Sequence, residues 1–373
     1  MSDKLRVLHI LNELQPSGAE TMLESAGHLL AADGIEARIM ATGAQEGPYA
    51  GRLRAAGYEI VHLPFSKSAT FARSFHKVVA AFRPDVVHLH TERAYFVYAG
   101  IVRLGLNTTI IRTVHHIFEF NGLLRMRKRV ERWISRRWFR VRFYTNSPSN
   151  RENEATRFGN PCILIPNWYD DSLFTPPSEA DRSAARRQLG VDDDTFLVVS
   201  VGGNWPYKNY HLIVQALADR RDIRPCKYLQ VGPDPEGVVE SMARELGIKD
   251  AVESVGMASE VLPYLFAADA FAMPSSAEGF GIAAVEALAT GTIAVLSDVP
   301  ALNDLKPLFP HAHWIEPNSE TLGKAFEKIR GLDPAERVEV RLKSAHAALK
   351  HFGTGTGAAL YRMHYEQLSK RVK

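Results

Sequence analysis

Short, mostly apolar runs recur through the first half of the chain, at 5–11, 37–42, 60–63, 86–90 and 109–115. Runs of this length, without the strict polar alternation of a half-buried strand, suit strands of a parallel sheet that helices cover on both faces. Between them lie segments such as 19–32, whose apolar positions fall at the three- and four-residue steps of a helix with one buried face. Strand alternating with helix predicts βαβ units and an α/β fold. The pattern restarts at 196–201 and again at 270–273, beyond a stretch, 161–177, that holds four prolines and reads as an interdomain passage. A chain of 373 residues is too long for one compact core. The expected division is 1–170, joined by a C-terminal helix at about 355–373, and 178–352.

The densest chemistry lies at 274–298, PSSAEGFGIAAVEALATGTIAVLSD. The run 270–273 ends at Pro274 as a buried strand would, and the alanine-rich segment 282–290 stops at Gly291 as a helix would. Glu278 is then placed in a strand-to-helix loop and Glu286 about one turn inside the helix. Between the two carboxylates lie the amides of Phe280, Gly281 and Ile282, at a helix N-terminus whose unpaired N–H groups and dipole favour an anion. Gly279 and Gly281 let a ligand approach the backbone. Carboxylate, anion hole, carboxylate matches the order of sugar hydroxyls, diphosphate and ribose hydroxyls in a nucleotide sugar.

EGFGIAAVE, with VGMASEVLPYLFAADAFAMPSS before it and EALATGTIAVLSDVPALND after it, resembles the signature of the family 4 retaining glycosyltransferases of GT-B fold. The resemblance implies two Rossmann-like parallel-sheet domains facing a central cleft, acceptor on the first and nucleotide sugar on the second. It implies transfer of a hexose, from a UDP-sugar, to an acceptor hydroxyl of a glycolipid or saccharide, such as a lipid-linked or surface-polysaccharide precursor, without metal or other cofactor. On the family's pattern Glu278 holds sugar hydroxyls, Glu286 the ribose, and Lys208 with the amides of residues 280–282 the departing diphosphate. His115 in RTVHH matches a Thr-x-His pattern beside the anomeric carbon. His115, Glu278 and Lys208 are thus the catalytic expectations. Gly18 after the first strand, Gly203 and Asn204 in GGNWPYKN, and Gly256 and Met257 beside the base complete the donor-binding set. Asn167 and Asp170 match an Asn-Gly-Val-Asp stretch expected to fix the hinge.

Two departures from the pattern matter. Gly203 and Asn204 stand where relatives carry a phosphate-binding arginine, and Trp168 replaces a glycine. They keep open a non-catalytic sugar-nucleotide-binding subunit of a polysaccharide assembly, or a nucleotide-sugar epimerase on the same architecture. A phosphorylase would need a pyridoxal lysine, for which no candidate is evident. GxGxxG is missing after the first strand, which disfavours a dinucleotide oxidoreductase.

Composition adds location and partners. Apolar residues make up 46% and charged residues 23%, ordinary for a soluble protein. No apolar run is long enough to span a bilayer and the N-terminus lacks a small-residue cleavage site, so a cytoplasmic location is expected. Cys162 and Cys226, far apart, fit reduced structural thiols. Asp192, Asp193 and Asp194 read as a solvated turn before a strand, not as a metal site. The net charge of +3 conceals a segment, from Arg125 to Arg142, in which nine Lys or Arg face only Glu131, a local +8 that leaves −5 for the rest. In it Met126, Val130, Trp133, Ile134, Trp138 and Val141 form an apolar stripe at helical spacing. The stripe fits either a helix packed on the sheet with a solvated basic face, or a helix lying on an anionic membrane surface. No nucleic-acid-binding module accompanies it, so nucleic acid is not an expected partner.

Overall fold

The computed structural model describes residues 4–106, 108–220 and 223–369. It divides into two units, Met1–Asp170 with Phe352–Lys373, and Asp171–His351. The first carries strands β1 (Leu5–Leu11), β2 (Ile35–Ala41), β3 (Glu59–His62), β4 (Val86–Leu89), β5 (Thr109–Val114), β6 (Arg142–Thr145) and β7 (Ile163–Leu164). They form one parallel sheet in the order β3-β2-β1-β4-β5-β6-β7. Its crossovers are α1 (Gly18–Ala32), α2 (Ala50–Ala55), α3 (Ala69–Phe82), α4 (Tyr95–Gly105), α5 (Gly122–Arg137) and α6 (Pro148–Phe158).

The second unit holds α7 (Glu179–Gln188), β8 (Phe196–Val201), α8 (His211–Asp219), β9 (Cys226–Val231), α9 (Val238–Glu245), β10 (Val252–Gly256), α10 (Leu262–Ala267) and β11 (Ala270–Met273). It continues through α11 (Ile282–Ala289), β12 (Ile293–Ser297), β13 (His313–Ile315), α12 (Ser319–Arg330) and α13 (Pro334–Phe352). Its parallel sheet runs β10-β9-β8-β11-β12-β13. The central strands β8, β11 and β12 are buried almost throughout, as strands covered on both faces must be. The last helix, α14 (Thr354–Ser369), packs beside α1 in the first unit.

Trp168, which stands where relatives carry glycine, has its indole 1% exposed, within the core of the first unit. Its Nε1 donates to the Met22 carbonyl at 2.9 Å, and Tyr361 of α14 meets the ring edge-on. A Cβ on Gly357 would fall 2.1 Å from the Trp168 ring, so α14 closes on the indole only because that position has no side chain. The chain returns to the first unit around this anchor, with Tyr169 N–H donating to the Phe352 carbonyl at 3.0 Å and Thr354 Oγ1 to the Tyr169 carbonyl at 2.6 Å.

Helix α5 departs from the packing expected of it, because it is inside out relative to an ordinary surface helix. Its buried residues are Arg132 and Ser135, while Met126, Val130, Trp133 and, just past its end, Trp138 are more than half exposed. The Arg132 guanidinium makes two bonds to Glu154, at 2.7 and 2.8 Å, and Lys128 meets Glu92 at 3.1 Å. Glu92 also pairs with the buried Arg112. Burial works to protonate Glu92, but Arg112, Arg132 and Lys128 together outweigh it and hold its pKa below the usual carboxylate range. The helix is therefore fastened by its charges; of its apolar stripe Met126, Val130, Trp133 and Trp138 turn outward, while Ile134 is half-buried and Val141, past the helix, is buried in the core. Among the described residues no helix is long and apolar enough to cross a membrane. Both cysteines are free thiols, and Asp193 in the acidic turn is 98% exposed on its side chain.

Two expected outcomes follow from these anchors. Trp168→Ala should lower unfolding free energy by about 3–5 kcal/mol in denaturant titration, whereas Trp168→Phe, which keeps a ring and loses the N–H bond, should cost about 1 kcal/mol plus packing. Glu20, buried in the first turn of α1, has its pKa raised to about 7 by burial, with the Ser17 hydroxyl bond only partly offsetting this. Since the folded value lies above the unfolded one, stability falls as pH rises through that interval and the cost is complete above 7. Glu20→Gln should therefore raise Tm at pH 8, with the gain vanishing by about pH 4.

Candidate active site

Each sheet has one place where strand order reverses, β1 beside β4 in the first unit and β8 beside β11 in the second. Connections leave such a pair in opposite directions and open a crevice beyond the carboxyl ends, where ligands settle in open α/β sheets. In the second unit the segments leaving the crevice are the turn after β8, which holds Lys208, and the loop after β11, which holds Glu278. Bonds from the backbone and side chains fasten turn to loop. Ser276 N–H donates to the Tyr207 carbonyl at 2.7 Å, and Asn209 Nδ2 to the Pro274 carbonyl at 3.1 Å.

Lys208 closes a single 3-10 turn, Pro206–Lys208, three residues before α8. Its Nζ lies 2.7 Å from Glu278 Oε1, and Ser275 Oγ donates to the same oxygen at 2.7 Å. The two charged side chains are 13% and 9% exposed. Burial works to discharge the ammonium, but the Glu278 carboxylate outweighs it and holds the Lys208 pKa above the usual lysine value.

Helix α11 begins two residues past Phe280 with no side-chain cap. Gly281 takes the cap position at φ +82°, and a Cβ there would sit 2.5 Å from Leu302 Cδ2, so both backbone and space demand glycine. Among the described residues the amides of Gly281, Ile282 and Ala283 find no acceptor, the usual state of a first helical turn. They are held still, because Phe280 and the residues Ala284, Val285, Ala287 and Leu288 are buried. Glu286 stands on the second turn, partly exposed. Gly279 is buried beside the carboxylate that precedes it.

Around this centre the other expected donor residues divide. A Cβ on Gly203 would lie 2.8 Å from Trp205 Nε1, so the turn packs its own indole against the glycine. Asn204 is engaged elsewhere: its Nδ2 donates to Asp234 at 3.0 Å, and Asp234 accepts the N–H groups of Val238 and Val239 at the start of α9. The place of the expected arginine is thus taken by a helix-capping network. Gly256 ends β10 at φ +75° and its carbonyl accepts from Gly232 N–H at 2.8 Å, leaving Met257 64% exposed beyond it. Ser275, which sequence reasoning missed, is a second donor to Glu278; a serine three residues before a glutamate carries no distinguishing signal.

Gly18 and His115 belong to the first unit. Gly18 opens α1 directly after its cap, Ser17, and His115 follows β5. His115 is not alone. Its Nε2 lies 3.0 Å from His90 Nδ1, and His90 Nε2 lies 3.0 Å from His9 Nδ1. His88 stacks on His90 with ring centroids 4.1 Å apart, and spends its nitrogens on the Tyr365 and Thr113 hydroxyls, both at 2.7 Å. Burial lowers the pKa values of His9 and His115 to about 3 and pushes His88 and His90 well below the usual histidine range. All four rings are therefore neutral near pH 7. The ring nitrogens of His9, His88 and His90 fall within 4.8 Å of one another. Stacked rings aim their in-plane lone pairs along neighbouring planes, and those of His88 already meet hydroxyls, so the trio is a poor cage for a cation. The spacing of His88 and His90 on a strand, two apart and so on one face, was the available sequence signal for this layer. His116 is exposed.

Comparison with known proteins agrees with this architecture. Residues 16–173 match the family model described as Glycosyltransferase Family 4, and residues 181–335 match Glycosyl transferases group 1. A D-inositol 3-phosphate glycosyltransferase of Corynebacterium aurimucosum is 30% identical over 229 residues, covering 57% of this chain and 49% of that protein. The chain thus spans about half the length of that curated relative, and a smaller share of others of the same description. Among solved structures, a glycosyltransferase from Rickettsia africae superposes with a TM-score of 0.84 at 15% identity, covering 98% of this chain and 99% of that one. Anabaena HepE in complex with UDP and glucose gives 0.82 at 21% identity, covering 97% and 100%. Likeness at these identities speaks for the fold. With both halves matched by family models and two parallel Rossmann-like sheets in place, the chain belongs to family 4 of the glycosyltransferases and has the GT-B fold.

Proposed function

We propose that this protein transfers a hexose from a nucleotide sugar, a UDP-sugar, to an acceptor hydroxyl with retention at the anomeric carbon. The observation that carries the reading is the Lys208–Glu278 pair set beside the uncapped start of α11, with Glu286 one turn further on. In this reading the diphosphate lies against Lys208 and the amides of residues 281–283, Glu286 accepts from the ribose hydroxyls, and Glu278 accepts from the sugar. Negative charge grows on the diphosphate as the glycosidic bond breaks. Donors already fixed in place stabilise that charge more than they stabilise the ground state. The positive potential comes from the ammonium and the helix end, so no divalent ion is required. Nucleophile and leaving group act on one face, with no second carboxylate pair to form a covalent intermediate. The solved HepE complex with UDP and glucose, and the inositol-phosphate specificity named for the curated relative, support a nucleotide-sugar donor and a hydroxyl acceptor.

The acceptor is lipid-linked in this reading, and α5 supports it. Leu123, Met126, Val130, Trp133 and Trp138 present apolar surface among the exposed Arg125, Arg127, Arg129, Arg137 and Arg140. Exposed tryptophans flanked by cations suit the headgroup region of an anionic bilayer, where each basic residue adds about 1 kcal/mol of attraction. The protein would then work as a peripheral protein on the cytoplasmic face.

Three outcomes test these assignments. UDP should raise the Tm of the wild type more than GDP or ADP does, and Glu286→Ala should remove that gain. Lys208→Ala and Glu278→Ala should each cut turnover of the donor about 100- to 1000-fold, in line with removal of a transition-state donor elsewhere. Wild-type rates in both would contradict the assignment, and binding of UDP-sugars with neither hydrolysis nor transfer would favour a binding subunit. In sedimentation with anionic vesicles the wild type should pellet at low salt and be released at high salt, and a Trp133→Ser/Trp138→Ser variant should stay in the supernatant. Equal pelleting of the two proteins would count against the lipid surface.

A further inference from the structure

His9, His90 and His115 form a line of three rings joined by two nitrogen–nitrogen contacts of 3.0 Å. The line ends on two buried nitrogens without a partner, His9 Nε2 and His115 Nδ1. Each ring is neutral and so carries one proton. Three protons are shared among four ring nitrogens at the two contacts and one nitrogen at each end. Each contact needs one proton between its two nitrogens, so two protons are committed and the third sits at one end of the line. If it sits on His115 Nδ1, all three rings are Nδ1–H tautomers: His9 donates to His90, and His90 donates to His115. If it sits on His9 Nε2, all three are Nε2–H and every bond runs the other way.

The two ends are not equivalent. His9 lies mid-strand in β1, with the rings of Tyr58 and Tyr365 edge-on to it and His88 beside it. Its Nε2 has no acceptor there, and a buried N–H without an acceptor is among the rarest states in folded proteins. His115 lies just past β5, at the carboxyl end of the sheet, the end where a ligand oxygen can meet it. We infer that His90 and His9 are positioning residues that fix His115 as the Nδ1–H tautomer, so that it serves a bound sugar as a neutral hydrogen-bond donor and not as a base. The role of the line follows from that count. His90 Nδ1–H occupies the Nε2 lone pair of His115, the proton of His115 is left on Nδ1, and His9 does the same for His90. The groups facing the line are Tyr58 and Tyr365, the paired His88, and Arg112 and His116 near His115; their positive members oppose a second proton on it.

That a sugar is what meets His115 rests on the function proposed above; the direction of the lock rests only on the place of His115 at the carboxyl end of the sheet, where any ligand or water oxygen can reach its Nδ1 proton. The test is long-range proton–nitrogen NMR on protein labelled at histidine, recorded from pH 5.5 to 8.5. The expected spectrum has His9, His90 and His115 neutral throughout and all in the Nδ1–H form. His90→Leu should release His115 into a mixture of tautomers, and His9→Leu, the milder change if the first variant fails to fold, should do the same to His90 and His115. An Nε2–H form of His115 in the wild type, different tautomers along the line, an imidazolium within it, or an unaltered His115 in a folded variant would overturn the inference. So would a shift of all three rings on adding zinc chloride alone, since that would make the line a metal site. Adding UDP-glucose should move the His115 Nδ1 proton signal while leaving the tautomers as they were. If that signal stays in place while the unliganded spectrum is as expected, the lock stands and the placement of the sugar falls.

Discussion

An ammonium and a carboxylate that have given up most of their water, set beside a helix end with no cap, are the constraint from which the second unit is best understood. Neither charge is stable there alone. Lys208 keeps its proton because Glu278 is 2.7 Å away, and Glu278 is steadied in turn by Ser275. Removing one partner of such a pair strands the other, which in buried sites costs about 3–5 kcal/mol. The surrounding backbone exists to hold this arrangement: Gly281 admits the close approach of Leu302, and the bonds from Ser276 and Asn209 tie the two loops that carry the pair. A site so arranged is preorganised for an anion, since its dipoles need no reorientation when charge arrives.

The first unit solves a different problem with buried polar groups. Its sheet carries a layer of neutral histidines and tyrosine hydroxyls where an aliphatic core would be simpler, and α14 is fastened to that layer through Tyr365 and Tyr361. On the opposite side of the economy of charge stands α5, whose inward arginine and outward tryptophans invert the usual pattern. Beneath α5 the buried Arg112 and Arg132 pair with Glu92 and Glu154, and both features leave chemistry at an edge: a histidine at a strand end in one case, an apolar and cationic surface in the other.

Much of this was legible in the sequence, and the reasons differ by element. Buried parallel strands announce themselves as short apolar runs, so β8 and β11 begin and end as the pattern implies, and the strand-loop-helix reading around Glu278 and Glu286 fits β11 and α11. The expected edges of β2 through β5 are displaced by a residue or two, because a terminal residue is decided by its hydrogen bonds and not by its hydropathy. Periodicity found the stripe on α5 but could not tell inside from outside, since that depends on Glu92 and Glu154, distant in sequence. The place of Trp168 is hidden for a similar reason: its partner is the vacancy at Gly357, nearly two hundred residues away. The line from His9 to His115 spans three strands and leaves no local trace beyond the His-x-His spacing.

The measurement that bears most directly on the central claim is a crystal structure of the protein with UDP bound. The account requires the diphosphate oxygens within hydrogen-bond distance of Lys208 Nζ and of the amides at the start of α11, with Glu286 on the ribose hydroxyls. A diphosphate lodged away from those groups, with the Lys208–Glu278 pair undisturbed, would contradict it.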